Sequence, residues 1–397
     1  MTGPQAQGFF TALAAVLLLA HTLGWIARRL GQPAVVGEIT AGILAGPTLL
    51  DGALARHLFP DATGPYLSGL ANLGLALFMF RTGRELDPGL LRGRRTTAAT
   101  VSLASVALPF ALGVLLALHL APRHTTTNKT AFVLFLGAAM AVTAFPVLAR
   151  ILTDHHLHET PTGALALAAA AIDDVIAWTL LAALNLTAHH TSLWQFLFAP
   201  LFILAMRHGI RPILPKVLAA LPPGAHLAAL LCGLFASCWA AERSGLHFVF
   251  GAFLFGTATR RALPPVAAPD PVGPLAGINH ILFLPAFFIT AGLGVDLSGT
   301  DWTQAGELAL ILLAAVTGKF VGAYTGARLT NTPHHQSAVL ATLMNTRGLT
   351  EIVVLTIGLQ IRIIDQSLYS LMVVMALTAT AMTSPLLRVF ATPTTRL

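Results

Sequence analysis

Charge is what this 397-residue chain has least of: Asp, Glu, Lys and Arg together make up 10% of it. A soluble domain carries roughly 25%, so a water-soluble protein of this length is excluded, in line with a mean hydropathy of +0.76. Cysteine is nearly absent. Its two copies, Cys232 and Cys238, lie six apart in one apolar segment, a spacing that fits neither a metal site nor a redox motif. The formal charge of +7 rests on 20 Arg and 3 Lys, and no basic tract is interleaved with aromatics, which removes nucleic acid as a partner. No His-Glu-x-x-His occurs for an intramembrane metalloprotease. The N-terminus lacks a basic stretch before its first apolar run. Arg28 and Arg29 follow that run instead, the pattern of a retained helix that starts outside.

Long apolar runs fill the space that charge leaves. Thirteen stand between polar or Pro/Gly-rich breaks: 8–30, 33–50, 66–83, 96–119, 131–151, 162–186, 193–218, 225–241, 246–259, 275–295, 303–328, 335–358 and 368–391. In hydrocarbon every backbone amide must be bonded within the protein, and runs this long and continuous suit helices rather than barrel strands. The expected fold class is an all-α polytopic membrane protein of thirteen transmembrane helices, one membrane domain over residues 1–397 in contact with the lipid bilayer. With the N-terminus outside, sixteen loop Arg and Lys residues fall on the cytoplasmic side and five on the other, so the C-terminus is cytoplasmic. An Ala-rich, Arg-over-Lys composition fits a GC-rich bacterial genome and hence a bacterial plasma membrane.

The two halves echo each other. Ala41-Gly-Ile-Leu-Ala-Gly46 in segment two resembles Gly251-Ala-Phe-Leu-Phe-Gly256 in segment nine, and Gly83 with Asp87 resembles Gly292 with Asp296. Offsets of 210 and 209 residues superpose segments one to six (about 8–186) on eight to thirteen (about 225–391), with 193–218 as a linker helix. The first repeat starts outside and the second inside. Inverted repeats of this kind mark alternating-access secondary transporters, whose site lies at the midplane between the halves. Gly-rich helix packing is the simpler explanation of the same letters.

Two lysine or arginine side chains, Lys319 and Arg347, lie inside segments eleven and twelve, with Glu351 one turn after Arg347. Segment six carries Asp173 and Asp174 at its midpoint. A charge at the bilayer centre costs about 2.5 to 3.5 kcal/mol on the lenient insertion scale, so intramembrane ionisable residues are read as functional by default. Adjacent helical residues point about 100° apart, so one aspartate can pair with Lys319 while the other faces a water-filled cavity. Protonation and cation binding then compete for the same oxygens, which is enough to couple a proton to a cation. The alternative is a buried ion-pair network that only fixes helix packing.

Segments five and twelve occupy equivalent places in the repeats, and both carry break signals at mid-depth. Pro146 in Ala141-Val-Thr-Ala-Phe-Pro146 removes a backbone donor, and Gly348 stands beside Arg347 in Met344-Asn-Thr-Arg-Gly-Leu-Thr-Glu351. Crossed discontinuous helices would place half-helix ends at the centre, where Arg347 and Glu351 could offset their dipoles. A proline kink without function is the alternative. Thr143 could lend a hydroxyl to a cation or bond back to its own helix.

These residues carry a resemblance. Gly37-Glu-Ile-Thr-Ala-Gly-Ile-Leu-Ala-Gly-Pro47, Phe78-Met-Phe-Arg-Thr-Gly-Arg-Glu-Leu-Asp87, Thr143-Ala-Phe-Pro146, Asp173-Asp174, Gly318-Lys319-Phe-Val-Gly322 and Asn345-Thr-Arg-Gly-Leu-Thr-Glu351 together resemble the monovalent cation:proton antiporter-2 family across essentially the whole chain. The Asn-Thr-Arg-Gly stretch is most similar to the branch of plant and fungal cation/H+ exchangers. The resemblance implies thirteen helices in a dimerisation and a core domain, crossed helices five and twelve, elevator-like movement and a homodimer. It implies that Asp174 carries the ion, that Asp173 can pair with Lys319, and that Na+ or K+ and H+ are carried with no cofactor and no enzymatic step. Many plant exchangers have Asn at the position of Asp173, so stoichiometry and cation choice stay open. Potassium-efflux relatives append a cytoplasmic nucleotide-binding domain, whereas here only a few residues follow segment thirteen and no soluble regulatory domain is expected.

Other signals are weaker. His155, His156 and His158 after segment five, and His334 and His335 before segment twelve, fit a pH gate or simply solvated loops. Glu38, near an interface in segment two, fits a structural hydrogen-bonding role. The expected function is antiport of Na+ or K+ against H+; the alternatives are a proton-coupled carrier of a small organic cation, or a non-transporting membrane sensor or scaffold.

Overall fold

The computed structural model describes residues 2–49, 52–85, 95–126, 128–154, 157, 160–188, 201–244, 248–260, 272–298 and 301–390. Among the described residues regular structure is entirely helical. The helices are α1 (Gly3–Arg29), α2 (Ala34–Ala45), α3 (Ala53–Leu58), α4 (Gly64–Glu85), α5 (Arg95–Leu120), α6 (Lys129–Ala141), α7 (Phe145–Asp154) and α8 (Pro161–Ala188). They continue as α9 (Arg211–Ala220), α10 (His226–Arg243), α11 (Phe248–Thr259), α12 (Gly273–Ile278), α13 (Leu284–Leu293), α14 (Trp302–Leu329), α15 (His334–Met344), α16 (Leu349–Gln360) and α17 (Gln366–Phe390). A π-helical turn, Ala205–Ile210, precedes α9, and another, Asn279–Phe283, joins α12 to α13.

Among the described residues, six helical stretches are long and apolar enough to cross a membrane: Gly3–Arg29, Arg95–Leu120, Pro223–Arg243, Leu275–Leu293, Trp302–Leu329 and Gln366–Phe390. The expected segment 33–50 stops early. α2 ends at Ala45 because Gly46 turns extended ahead of Pro47, which disfavours a helical residue before it. The runs 131–151 and 335–358 are each two helices, α6 with α7 and α15 with α16. Of the linker run 193–218, residues 193–200 lie outside the described residues, as do His155, His156 and His158. The short α3 was not expected from the sequence; it follows Gly52, whose φ of +69° suits glycine.

The chain forms two compact units, one of Met1–Asp61, Pro88–Leu181 and Phe288–Leu397, the other of Ala62–Asp87 and Ala182–Phe287. Small residues set how closely helices approach inside each, since without a hydrophobic drive between helices in lipid, backbone proximity supplies the contact energy. In the first unit Gly318, Gly322 and Gly326 line one face of α14 against α5. A Cβ on Gly322 would lie 2.4 Å from the Ala104 carbonyl oxygen, and one on Gly318 2.9 Å from Pro109 Cα. α2 crosses α13 in the same way, with Gly42 facing the Ile289 carbonyl and Gly292 facing that of Ile39. Glu38 is buried where α2 meets α1 beside Gly24. In the second unit Gly83 of α4 faces the Phe253 carbonyl of α11, and Gly256 of α11 faces that of Phe80. The Phe80 and Phe255 rings stack at this crossing, 5.7 Å apart.

A titratable clamp closes one end of the first unit. In the turn after α5, His124 Nδ1 lies 3.1 Å from both oxygens of Asp365, and its Nε2 lies 3.3 Å from Glu307 of α14. Asp365 also accepts the Leu368 amide at 2.9 Å, capping α17, while Arg123 reaches Glu307 at 3.2 Å. Burial alone would lower the His124 pKa, but Asp365 and Glu307 outweigh it and raise it above the ordinary histidine value. A raised histidine pKa stabilises the fold fully below its unfolded value, about 6.5, and that contribution disappears as pH climbs through the higher folded value. The thermal midpoint of the purified protein is therefore expected to fall more steeply between about pH 6 and pH 9 for the natural chain than for His124→Ala. Parallel pH profiles for the two would show that His124 contributes no such linkage.

Candidate functional site

The two helix breaks sit against each other within the first unit. α6 stops at Ala141, Val142 turns extended with ψ of 141°, and α7 resumes at Phe145. Pro146 falls in the first turn of α7, where a missing amide proton leaves no intrahelical bond unmade. α15 stops at Met344 and α16 starts at Leu349, leaving Asn345 to Gly348 between them. Gly348 has φ of +151°, a backbone state closed to other residues, and a Cβ there would lie 2.9 Å from Val147 of α7. The breaks bond to each other: the Ala144 amide donates to the Thr346 carbonyl at 3.1 Å, and the Thr143 hydroxyl reaches the Met344 carbonyl at 3.3 Å.

Arg347 fills the crossing. It is fully buried, and its Nη2 donates to the Met140 carbonyl at 2.8 Å while Nη1 reaches the Ala139 carbonyl at 3.4 Å. Both carbonyls lie in the last turn of α6, where Ala139 keeps only a 3.4 Å bond from the Val142 amide, so a cation there meets under-bonded oxygens and the negative end of the helix dipole. Nη1 also pairs with Glu351 at 2.9 Å, one turn on, and Glu351 lies in the first turn of α16, where the dipole favours an acid. Thr380 of α17 takes the Arg347 amide at 3.0 Å and donates back to its carbonyl.

Beside this crossing stand Asp173 and Asp174, midway along α8 and both buried. Asp173 is richly bonded, although the Ser105 hydroxyl also has the Ser102 carbonyl within reach at 2.9 Å. Ser102 donates to its Oδ1 at 2.6 Å, and its Oδ2 accepts from Thr143 at 2.7 Å, Lys319 at 3.0 Å and Ser105 at 3.1 Å. Lys319 Nζ also donates to Thr143 Oγ1 at 2.5 Å, so the break, α8 and α14 meet on one carboxylate. Asp174 is the opposite case: both its oxygens are buried and neither has a hydrogen-bond partner. Buried without partners in the same region of the chain are the Asn345 amide atoms and the hydroxyls of Thr346 and Thr350, the last within interaction range of Asp174.

The sequence-predicted residues Thr143, Asp173 and Lys319 thus form one cluster, and Arg347 with Glu351 a second beside the breaks. Ser102, Ser105, Thr350 and Thr380 were not anticipated. The two serines stand at i and i+3 and so share one helix face, but that spacing does not say which helix lies opposite.

The sodium/hydrogen exchanger transmembrane family model matches residues 15–389. The chain belongs to that family. It is 35% identical over 395 residues to Cation/H(+) antiporter 18 of Arabidopsis thaliana, covering 96% of this chain and 48% of that protein. It is also 35% identical to the Na(+)/H(+) antiporter NhaS4 of Synechocystis, covering 94% of each. The chain thus spans about half the length of its plant relatives and nearly all of the cyanobacterial one. In structure it is similar to the sodium proton antiporter MjNhaP1 of Methanocaldococcus jannaschii, with a TM-score of 0.69, 15% identity and coverage of 98% of this chain and 97% of that one. At that identity the likeness establishes the fold, a multi-pass integral membrane architecture.

Removing one partner of a buried ion pair leaves the other uncompensated and costs about 3 to 5 kcal/mol. Arg347→Met should therefore lower the thermal midpoint of the detergent-purified protein sharply, and Arg347→Lys should restore little, because one ammonium cannot serve Glu351 and the Met140 carbonyl from two nitrogens. A midpoint unchanged in Arg347→Met would mean that the crossing does not depend on this side chain.

Proposed function

We propose that this chain is a secondary active antiporter that exchanges a monovalent cation, Na+ or K+, for H+, with Asp174 as the exchange site. The observation that carries the reading is the contrast between two adjacent carboxylates. Asp173 has every strong donor and Asp174 has none. A bare buried carboxylate is costly and binds either a proton or a cation to neutralise itself. Competition between those two for the same oxygens couples their movements, and the ion-free anion is the form least able to move. Thr143, already engaged by Asp173 and Lys319, offers its remaining capacity to a cation only if that network rearranges. Asp173 and Lys319 set the local charge, and Arg347, Glu351 and Pro146 support the crossed helices. Membership of an exchanger family and the cation/proton antiporters among its relatives support the same class. Only ions move, so the reading involves no enzyme chemistry and no cofactor.

The full architecture proposed is thirteen transmembrane helices in two inverted six-helix repeats joined by a linker helix, working by alternating access. Two crossings support the repeat. α2 meets α13 at Gly42 and Gly292, and α11 meets α4 at Gly256 and Gly83. Under the offset of 209 to 210 residues α2 corresponds to α11 and α4 to α13, so the two crossings join corresponding helices; Gly83 aligns with Gly292, while Gly256 aligns with Gly46, one turn from Gly42. The arginine asymmetry supports an outer N-terminus and a cytoplasmic C-terminus. Composition supports a bacterial plasma membrane, and family resemblance supports a homodimer.

In everted vesicles carrying an imposed proton gradient, added Na+ or K+ should collapse the acid interior, and Asp174→Asn should reduce that response by about tenfold or more. Dissipation by a small organic cation but by neither metal ion would replace the substrate. Intact exchange in Asp174→Asn would remove Asp174 from the site.

A further inference from the structure

Two of the half-helices at the crossing, α6 and α16, are tied together at their far ends by one histidine. They pack against each other where the Phe135 ring lies over Gly358, leaving no room for a Cβ. His124 and Thr125 stand just before α6, which starts at Lys129, and Asp365 follows α16 by one tight turn. In that turn the amides of Ile361, Ile363 and Ile364 bond back to the carbonyls of Ile357 and Gly358. The Asp365 carboxylate joins the two connectors: it meets His124 Nδ1 at 3.1 Å and accepts the Thr125 amide at 3.0 Å while capping α17 through the Leu368 amide at 2.9 Å. On the other side of the ring Nε2 lies 3.3 Å from Glu307 Oε2 of α14, within ion-pair reach but not aligned as a hydrogen bond. Arg123 holds the other Glu307 oxygen at 3.2 Å.

A neutral imidazole has one N–H and one lone pair, and only the charged ring donates from both nitrogens. With Nδ1–H given to Asp365, the neutral ring turns the Nε2 lone pair on Glu307, and the charged ring turns an N–H there instead. One proton therefore converts the contact between the connectors and α14 from repulsion to attraction. Burial opposes the charge, but Asp365 and Glu307 outweigh it and hold the His124 pKa above the ordinary histidine value. Those two carboxylates, with Arg123 bonded to Glu307, are the charged groups that act on the ring. We propose that His124 is a pH-sensitive latch on the outer face: protonated, it clamps the outer ends of α6 and α16 to α14 and slows exchange, and deprotonated it releases them. This regulation presupposes exchange at Asp174. Thr143, in the break at the inner end of α6, is engaged by Asp173 and Lys319 and must rearrange to take a cation. Holding both half-helices at their outer ends opposes that rearrangement.

In right-side-out vesicles with an entrapped pH dye, from a host without its own Na+/H+ or K+/H+ exchange, the bath sets the pH at the outer face while the starting lumen pH is held fixed. Initial rates after a jump in Na+ or K+, normalised to the amount of protein, are compared as the ratio of His124→Gln to the natural chain. The ratio cancels the proton's own effects on driving force and competition. It should be about threefold or more at bath pH 6, where the natural ring is charged, and close to one at about pH 9, where it is neutral. Changing the lumen pH at fixed bath pH should leave it unaltered. Glu307→Gln, which removes the facing charge but keeps an oxygen for Arg123, should give the same pattern, and it is read alone should His124→Gln not fold. A ratio equal at the two bath pH values, or at or below one at pH 6, overturns the latch while leaving the exchange reading intact, provided Asp174→Asn loses the dye response. A ratio that follows the lumen pH instead overturns its place on the outer face. Absence of any cation-dependent dye response in the natural chain overturns the exchange reading itself.

Discussion

Everything at the centre of this protein depends on one requirement: a charge placed in an apolar helix bundle must find its counter-charge and its hydrogen bonds inside the protein. Asp173 and Lys319 meet that requirement together, and four separate pieces of chain converge to do it. α8 supplies the acid, α14 the base, α5 two hydroxyls and the α6–α7 break a third. The glycine face of α14 is as much a part of the pair as the charges, because a Cβ at Gly318 or Gly322 would push the helix off α5. Packing and electrostatics are therefore the same constraint here.

The same logic explains why two broken helices are tolerated. Breaking a helix in a place without water exposes carbonyls and amides that nothing else can satisfy. Each break serves the other: Ala144 donates to Thr346, and Arg347, placed by its break, caps the end of α6. Glu351 then balances Arg347 one turn further on. Most of the buried polar atoms without partners among the described residues, on Asp174, Asn345, Thr346, Arg347, Thr350 and Glu351, fall in this region, with others on Gln32, His124 and Asn279 elsewhere. Such a concentration of unmet capacity is what an ion-carrying site requires.

Much of this was legible in the sequence because polar residues are so scarce. With 10% charged residues, any Asp, Lys or Arg inside an apolar run stands out, which is why Asp173, Asp174, Lys319, Arg347 and Glu351 could be singled out by position alone. Serine and threonine are not scarce. Ser102 and Ser105 resemble any hydroxyls that bond back to their own helix, and Thr380 sits in a helix with two other threonines, Thr378 and Thr383. Their roles depend on which helix lies opposite, and periodicity within one segment carries no such information. Pro146 marked the first break to within a few residues, but the break itself falls before the proline, at Val142 to Ala144, because proline fits the first turn of a helix better than its interior.

The sequence by itself determined the class of protein, an all-helical membrane chain, and the identity of its buried charges, because both follow from composition and from the cost of placing charge in hydrocarbon. The tertiary structure alone decided which of two adjacent aspartates is satisfied and which is bare. Neighbouring residues on a helix share a depth but not a direction, so the difference between Asp173 and Asp174 lies in what α5, α14 and the broken helices bring to each side of α8.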